Sequence, residues 1–252
     1  MIFYGDSVVG KIRKVNEDSC VVKAVNEKCI LAVVADGMGG HRGGKEASSM
    51  ALKYICEYVE NSVNSLKKQS KTKIRNLLES AANKANSEIL KFSESDGSLR
   101  GMGTTIVVCL IVNNCYYTVS AGDSRMYMQS SEFTQITRDH SYVTELVEMG
   151  LITPQEAKTH PNKNIITRAL GTEKTVEYDF YTGEFNAGDI IMLCSDGLTN
   201  MVSDEEISKI LRKNDTPENK VGILLDNANN HGGTDNISVV LIENNEKGGA
   251  GK

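Results

Sequence analysis

The chain has 252 residues, 40% of them hydrophobic and 24% charged, with a formal net charge of -5 at pH 7. That size and apolar share suit one large globular unit or two small ones. The acidic balance excludes a phosphate-neutralising nucleic-acid surface, which needs a basic stripe, so any positive charge for phosphate chemistry has to be local: an arginine, a metal ion or a helix N-terminus.

The opening MIFYGDSVVGKIRKVNED lacks the basic n-region, the long apolar core and the small-residue cleavage site of a signal peptide. Residues 19–25 (SCVVKAV) and 29–35 (CILAVVA) flank Asn26-Glu27-Lys28 and read as a β-hairpin. From Lys45 the period changes. Ala47, Met50, Ala51, Tyr54, Ile55 and Tyr58 recur at three- and four-residue steps, which predicts an amphipathic helix over 44–64. A second helix is predicted over 73–92, carrying Ile74, Leu77, Leu78, Ala81, Ala85, Ile89 and Leu90. The Lys- and Ser-rich SLKKQSKTK between them reads as a solvated connection rather than a basic docking patch.

Strands resume with TTIVVCLIV, CYYTVSA, SRMYMQ and FTQI. The longest apolar stretch, Ile106 to Val112, is about a third of the roughly 20 residues a membrane helix needs. No membrane insertion is expected, and the cytoplasm is the expected location. Residues 142–166 break the β pattern and predict one or two short helices and a Pro/Asn-rich loop. VEYDFYTGEF and DIIMLCS are strands, two helices follow at 204–213 and 217–229, and NISVVLI is the last strand. The polar, Gly-rich end, residues 244–252, is expected to be disordered. This order predicts an α+β fold: two antiparallel-rich sheets packed face to face, with helix pairs outside. The six cysteines form no CxxC pair and the four histidines no HxH or HxxxH spacing, so they read as buried thiols and offer no zinc ligand set.

The carboxylates fall in a pattern. Asp36, Asp123 and Asp196 follow strands, whereas Asp18 and Asp235 precede them. Neighbouring antiparallel strands run in opposite senses, so all five can meet at one rim. Each Asp-Gly taken alone is a turn signal. Converging carboxylates repel unless a cation neutralises them, and an oxygen-only set favours Mg²⁺ or Mn²⁺ over zinc. Gly37, after Asp36, lets the backbone pass close enough for its carbonyl to take part. Arg13, five residues before Asp18, suits a phosphate or carboxylate ligand; its plain alternative is a surface arginine.

Eight motifs in register then resemble the metal-dependent protein phosphatases of the PPM (type 2C) family, most of all its compact bacterial members. They are GKIRKVNEDS (10–19), VVADGMGGHRGGKEAS (33–48), GMGTTIVV (101–108), AGDSRMY (121–127), TRDHS (137–141), ITRALG (166–171), GDIIMLCSDGL (188–198) and GGTDNISVVLI (232–242). The resemblance implies a four-layer αββα sandwich over residues 1–243, with 142–166 as a flap beside the active site. It implies that Asp36 bridges two Mn²⁺ or Mg²⁺ ions and that the Gly37 carbonyl binds one of them. Asp196 and Asp235 complete the ligands, Asp18 assists through water, Asp123 holds a third ion in bacterial members, and Arg13 binds phosphate. The implied reaction is hydrolysis of phosphoserine and phosphothreonine in proteins by metal-activated water, opposing a bacterial Ser/Thr kinase, in a chain taken as a monomer by default.

Many eukaryotic members carry histidine where this chain has Met38, and His41 stands three residues further on. The general acid is left unassigned. Two other readings stand beside the phosphatase: a non-catalytic phosphoprotein-binding scaffold, against which the full aspartate set argues, and a dedicated phosphatase for one regulator in partner switching.

Overall fold

The computed structural model describes residues 1–39, 43–63 and 70–245. The chain starts with β1 (Ile2–Val8), then the hairpin β2 (Ser19–Asn26) and β3 (Cys29–Ala35), and a two-residue β4 (Gly37–Met38). Two long helices follow, α1 (Gly43–Val63) and α2 (Lys71–Ser95). Then come β5 (Gly103–Thr104), β6 (Ile106–Val112), β7 (Cys115–Ala121), β8 (Arg125–Gln129) and β9 (Phe133–Gln135). The helices α3 (Tyr142–Glu148) and α4 (Pro154–Thr159) precede β10 (Asp179–Glu184) and β11 (Ile190–Cys194). The chain closes with α5 (Asp196–Thr199), α6 (Asp204–Leu211), α7 (Pro217–Asn230) and β12 (Ile237–Glu243).

Ten strands form two antiparallel sheets, in the orders β1-β12-β11-β8-β9 and β10-β7-β6-β3-β2. The sheets pack face to face, and a helical layer covers each outer face. The sequence explains why. In β3 every residue is buried. Leu31, Val33 and Ala35 pack under α1 and α2, while Ile30, Ala32 and Val34 point into the space between the sheets. A strand with a helix layer on one face and a second sheet on the other has no wet side, so its apolar run is continuous rather than alternating. β6 divides the same way, with Val108 and Leu110 toward the helices and Val107, Cys109 and Ile111 toward the other sheet. On the far side, Val239 and Leu241 of β12 face α5–α7, and Val240 and Ile242 face inward. The layers are therefore α, β, β, α, as the sequence predicts.

Several boundaries differ from expectation. Ser70 caps α2 by accepting from Lys73 N at 3.4 Å, so residues 71–73 of the expected connection are helical. Residues 65–69 of that connection, and residue 64 at the end of the first predicted helix, lie outside the described residues. The strand expected from Val176 begins at Asp179, whose partner Ser120 is next to last in β7. β1 carries no clear alternation, yet pairs with β12 along its full length. Asn244, counted with the tail on sequence, is buried and donates from Nδ2 to Phe185 O at 2.8 Å. Residues 246–252 lie outside the described residues. All six cysteines are free thiols. Among the described residues no helix is long and apolar enough to cross a membrane.

Candidate metal centre

The antiparallel order fixes where the aspartates fall. The ends of β3, β7 and β11 and the starts of β2, β6, β8 and β12 share one rim. Asp18 and Asp36 flank the Ser19↔Ala35 pair of the hairpin. Asp123 follows β7, Asp196 follows β11 after one residue, and Asp235 stands just before β12. The structure brings the five together: Asp36 is acted on by the charges of Asp18, Asp196, Asp123 and Asp235.

Asp36 is held by its backbone. Its N–H donates to Thr105 Oγ1 at 3.1 Å, and its carbonyl accepts from Thr104 Oγ1 and Thr105 N at 2.9 Å each. Gly37 then threads between two other backbone segments. A Cβ there would lie 2.2 Å from Gly44 O and 2.5 Å from Glu17 O, so only glycine fits. The same holds at Gly197, where a Cβ would lie 1.9 Å from Asn236 O.

Asp18 is buried, and one oxygen carries all its hydrogen bonds. Oδ2 accepts from Ser195 Oγ at 2.7 Å and Ser238 Oγ at 2.8 Å. Oδ1 is buried with no hydrogen-bond partner. Arg13, half-exposed, donates from Nη2 to Asp235 Oδ2 at 2.8 Å across the top of the cluster. Asn236 ties the two loops together. Its Oδ1 accepts from Glu17 N at 2.8 Å, and its Nδ2 donates to Val9 O at 2.9 Å and Val15 O at 3.0 Å. The chain around Arg13 is thus fixed to the residue after Asp235.

The electrostatics are those of a crowded anionic site. Burial, then the charges of Asp18 and Asp196, pushes the Asp36 carboxyl well above its usual range, although the residue keeps partial solvent contact. Burial raises Asp18 to about 6, with the two serine hydroxyls opposing the shift. Burial and the charge of Asp196 raise Asp123 to about 7. Asp196 is raised by burial and by the charge of Asp235, against the opposing effect of the neighbouring Asp36 carboxyl and of the Asn200 amide, which donates to Asp196 Oδ2 at 2.9 Å.

Among the described residues no three His, Cys, Asp or Glu side chains close into a finished ligand cage. The donor set nevertheless fits a hard divalent cation. It is all oxygen, it holds one bare buried carboxylate oxygen in Asp18 Oδ1, and its clustered carboxylates disfavour one another's charged forms, which a cation relieves.

A groove of about 1000 Å³ opens from Asp123 and Asp196. The segment carrying α3 and α4 walls one side, and α5 with the start of α6 walls the other. That segment leaves and rejoins the body at a β-bridge between Ser141 and Ile166. Its root is well tied. Arg125 makes a two-pronged pair with Asp139 at 2.7 and 2.9 Å. Buried His140 accepts from Gly122 N at its Nδ1 at 3.1 Å, lashing the turn that carries Asp123 to the root. Arg138 pairs with Glu148 of α3.

Met38 pairs with Gly103 in the β4–β5 ribbon, with its methyl against that glycine, which accounts for it as packing. His41 lies outside the described residues. Sequence reading missed Asn16, Ser195, Asn236 and Ser238. The Asn of the TDN tripeptide and the Ser of SDG were signals, since each adjoins a singled-out aspartate.

The comparisons with known proteins identify the family. A family model described as protein phosphatase 2C matches residues 11–219. The chain is 40% identical over 237 residues to the serine/threonine phosphatase stp of Listeria innocua, covering 94% of this chain and 93% of that one. It matches the structure of the S. agalactiae serine/threonine phosphatase with a TM-score of 0.86 and 34% identity, covering 96% and 98% of the two chains. It matches the catalytic domain of the serine/threonine protein phosphatase PstP, solved in complex with two manganese ions, with a TM-score of 0.82 and 35% identity, covering 95% and 96%. A match over this much of the chain, on a sandwich whose strand-end aspartates meet beside an arginine, places the protein in the protein phosphatase 2C family.

Proposed function

We propose that this chain is a divalent-metal-dependent phosphatase acting on phosphoserine and phosphothreonine in proteins, in the cytoplasm and opposite a Ser/Thr kinase. The observation that carries the reading is the meeting of Asp18, Asp36, Asp123, Asp196 and Asp235 beneath the Arg13 guanidinium. The stp and PstP relatives, named as serine/threonine phosphatases, support the substrate class, and the manganese of the PstP structure supports the cofactor.

Asp36, Asp196, Asp235 and the Gly37 carbonyl would hold two Mn²⁺ or Mg²⁺ ions, with Asp18 contributing through its bare Oδ1 and Asp123 to a third. When bound, the ions supply Lewis-acid activation of the attacking water and neutralise phosphoryl charge. The chain's own residues do the rest. The Arg13 fork, reaching the centre from a half-exposed loop, turns from Asp235 to the equatorial phosphoryl oxygens and holds them as charge moves to the leaving oxygen. Threonines 104 and 105 keep Asp36 from shifting with the charge. The groove beside Asp123 and Asp196 receives the substrate chain and limits water at the reacting end. No serine, cysteine or histidine nucleophile is needed.

The test is release of phosphate from a phosphothreonine peptide. Turnover is expected with Mn²⁺ and none with excess chelator. Equal turnover under both conditions sinks the metal-dependent reading, and no turnover with tight phosphopeptide binding favours a scaffold.

A further inference from the structure

Behind Asp18 runs a chain of hydrogen bonds, half-buried at Asn16 and Ser7 and buried at Ser238 and Ser195. The Asp18 N–H can only donate, and it faces Asn16 Oδ1 at 3.2 Å. The other end of that amide, Asn16 Nδ2, therefore donates to Ser7 Oγ at 2.8 Å. Ser238 Oγ lies 2.8 Å from both Ser7 Oγ and Asp18 Oδ2. One hydroxyl carries one proton, so Ser238 gives it to one neighbour only. The carboxylate is the stronger acceptor. The Ser238 proton favours Asp18, and Ser7 Oγ, the second acceptor within reach of that proton, fixes where the hydroxyl sits. A second arm runs from Ser238 N to Ser195 Oγ at 3.0 Å, and from Ser195 Oγ to Asp18 Oδ2 at 2.7 Å. Both arms end on the same oxygen.

The fold makes this arrangement possible. Ser7 and Ser238 are direct partners in the β1–β12 register, and β1 and β12 pack against β2, which Asp18 precedes. Ser195 and Ser238 are fully buried. At that buried end each bond polarises the next.

We propose that Ser238, Ser7 and Asn16 are positioning residues of the metal centre: they fix Asp18 Oδ2 from behind, so that Oδ1 alone faces a divalent cation, and thereby set metal affinity. This rests on the reading of Asp18 as a metal-holding residue. Ser7 acts only through Ser238. Partners that orient a ligand in this way are worth about 10- to 100-fold in metal affinity.

Metal-free protein is titrated calorimetrically with Mn²⁺, without substrate. Ser238→Ala is expected to weaken Mn²⁺ binding about 10-fold, and Ser7→Ala by a smaller factor. Ser7→Thr, which keeps the hydroxyl, is expected to bind as the wild type does. The double variant is expected to bind no more weakly than Ser238→Ala, because the chain is already cut. A purely structural role lowers the unfolding midpoint in chelator and leaves Mn²⁺ affinity intact. Wild-type affinity in both single variants, or additive losses in the double variant, overturns the proposal. If Ser238→Ala does not fold, the contrast between Ser7→Ala and Ser7→Thr decides alone. A wild-type protein that binds neither Mn²⁺ nor Mg²⁺ overturns the reading of the centre and this proposal with it. Wild-type binding with no change across the variants overturns this proposal only.

Discussion

Arg13 Nη2 stands 2.8 Å from Asp235 Oδ2, joining residues 222 positions apart. The pair is half open to solvent, with side-chain exposures of 50% and 35%. An exposed pair of this kind contributes only about 0–1 kcal/mol to stability, so its placement at the rim of an anionic cluster matters more for chemistry than for folding. Among the described residues the guanidinium is tethered at one nitrogen, Nη2, which leaves the rest of its fork for the phosphate role proposed above.

Arg13→Ala is therefore expected to lower kcat/KM for a phosphothreonine peptide by about 100-fold, with little change in the unfolding midpoint. Arg13→Lys should recover part of the loss, because a point charge replaces a fork. Steady-state kinetics at saturating Mn²⁺ check this. Wild-type kcat/KM in the alanine variant removes Arg13 from phosphate binding.

Gly37→Ala is expected to destabilise the protein by about 3 kcal/mol or more, since the new methyl has only carbonyl oxygens to meet and neither can move away cheaply. Urea unfolding in chelator measures it apart from metal. A loss under 1 kcal/mol would mean that the three backbone segments separate more easily than their close approach implies.

Asp123→Asn should act in opposite directions with and without metal. Burial and the charges of Asp196 and Asp139 disfavour the Asp123 anion. The neutral isostere removes that repulsion and is expected to stabilise the metal-free protein by about 1 kcal/mol, while lowering Mn²⁺ stoichiometry or affinity. Unfolding curves in chelator and in Mn²⁺ should therefore rank the two proteins in opposite orders. The same order in both conditions contradicts the assignment.

His140 carries a pH dependence whose sign follows from its surroundings. Burial, with help from Arg168 and Arg138, lowers its pKa below 6.5, against the pull of Asp179. Its Nδ1 also accepts the Gly122 N–H, which only the neutral ring can do. The unfolded chain then binds the proton more readily than the native one. Stability from this residue is present above about 6.5 and is lost as pH falls through the native pKa. The aspartate cluster titrates in the opposite sense, so the test compares His140→Gln with the wild type. The gap between their unfolding free energies should shrink as pH drops from 8 to 5. A constant gap contradicts the assignment.

The layers and the aspartates were legible in sequence for a physical reason. Strands buried on both faces read as continuous apolar runs, and a carboxylate closing such a run is conspicuous, as at Asp36 after CILAVVA. α1 was legible from its three- and four-residue apolar steps. β1 was not: IFYGDSV mixes glycine and aspartate into the strand, and its pairing depends on β12 at the other end of the chain. The serines behind Asp18 were hidden for a similar reason. Ser7 and Ser238 become neighbours only through register, and a buried serine in a strand has no local signal that separates a hydrogen-bonding role from a small packing residue.

The central claim is that the strand-end aspartates hold divalent metal around Asp36. Calorimetric titration of metal-free protein with Mn²⁺, run on the wild type and on Asp36→Asn, tests it most directly. The account predicts at least two ions bound by the wild type and loss of that binding in the variant, together with loss of peptide hydrolysis. Unchanged stoichiometry and affinity in Asp36→Asn would contradict it.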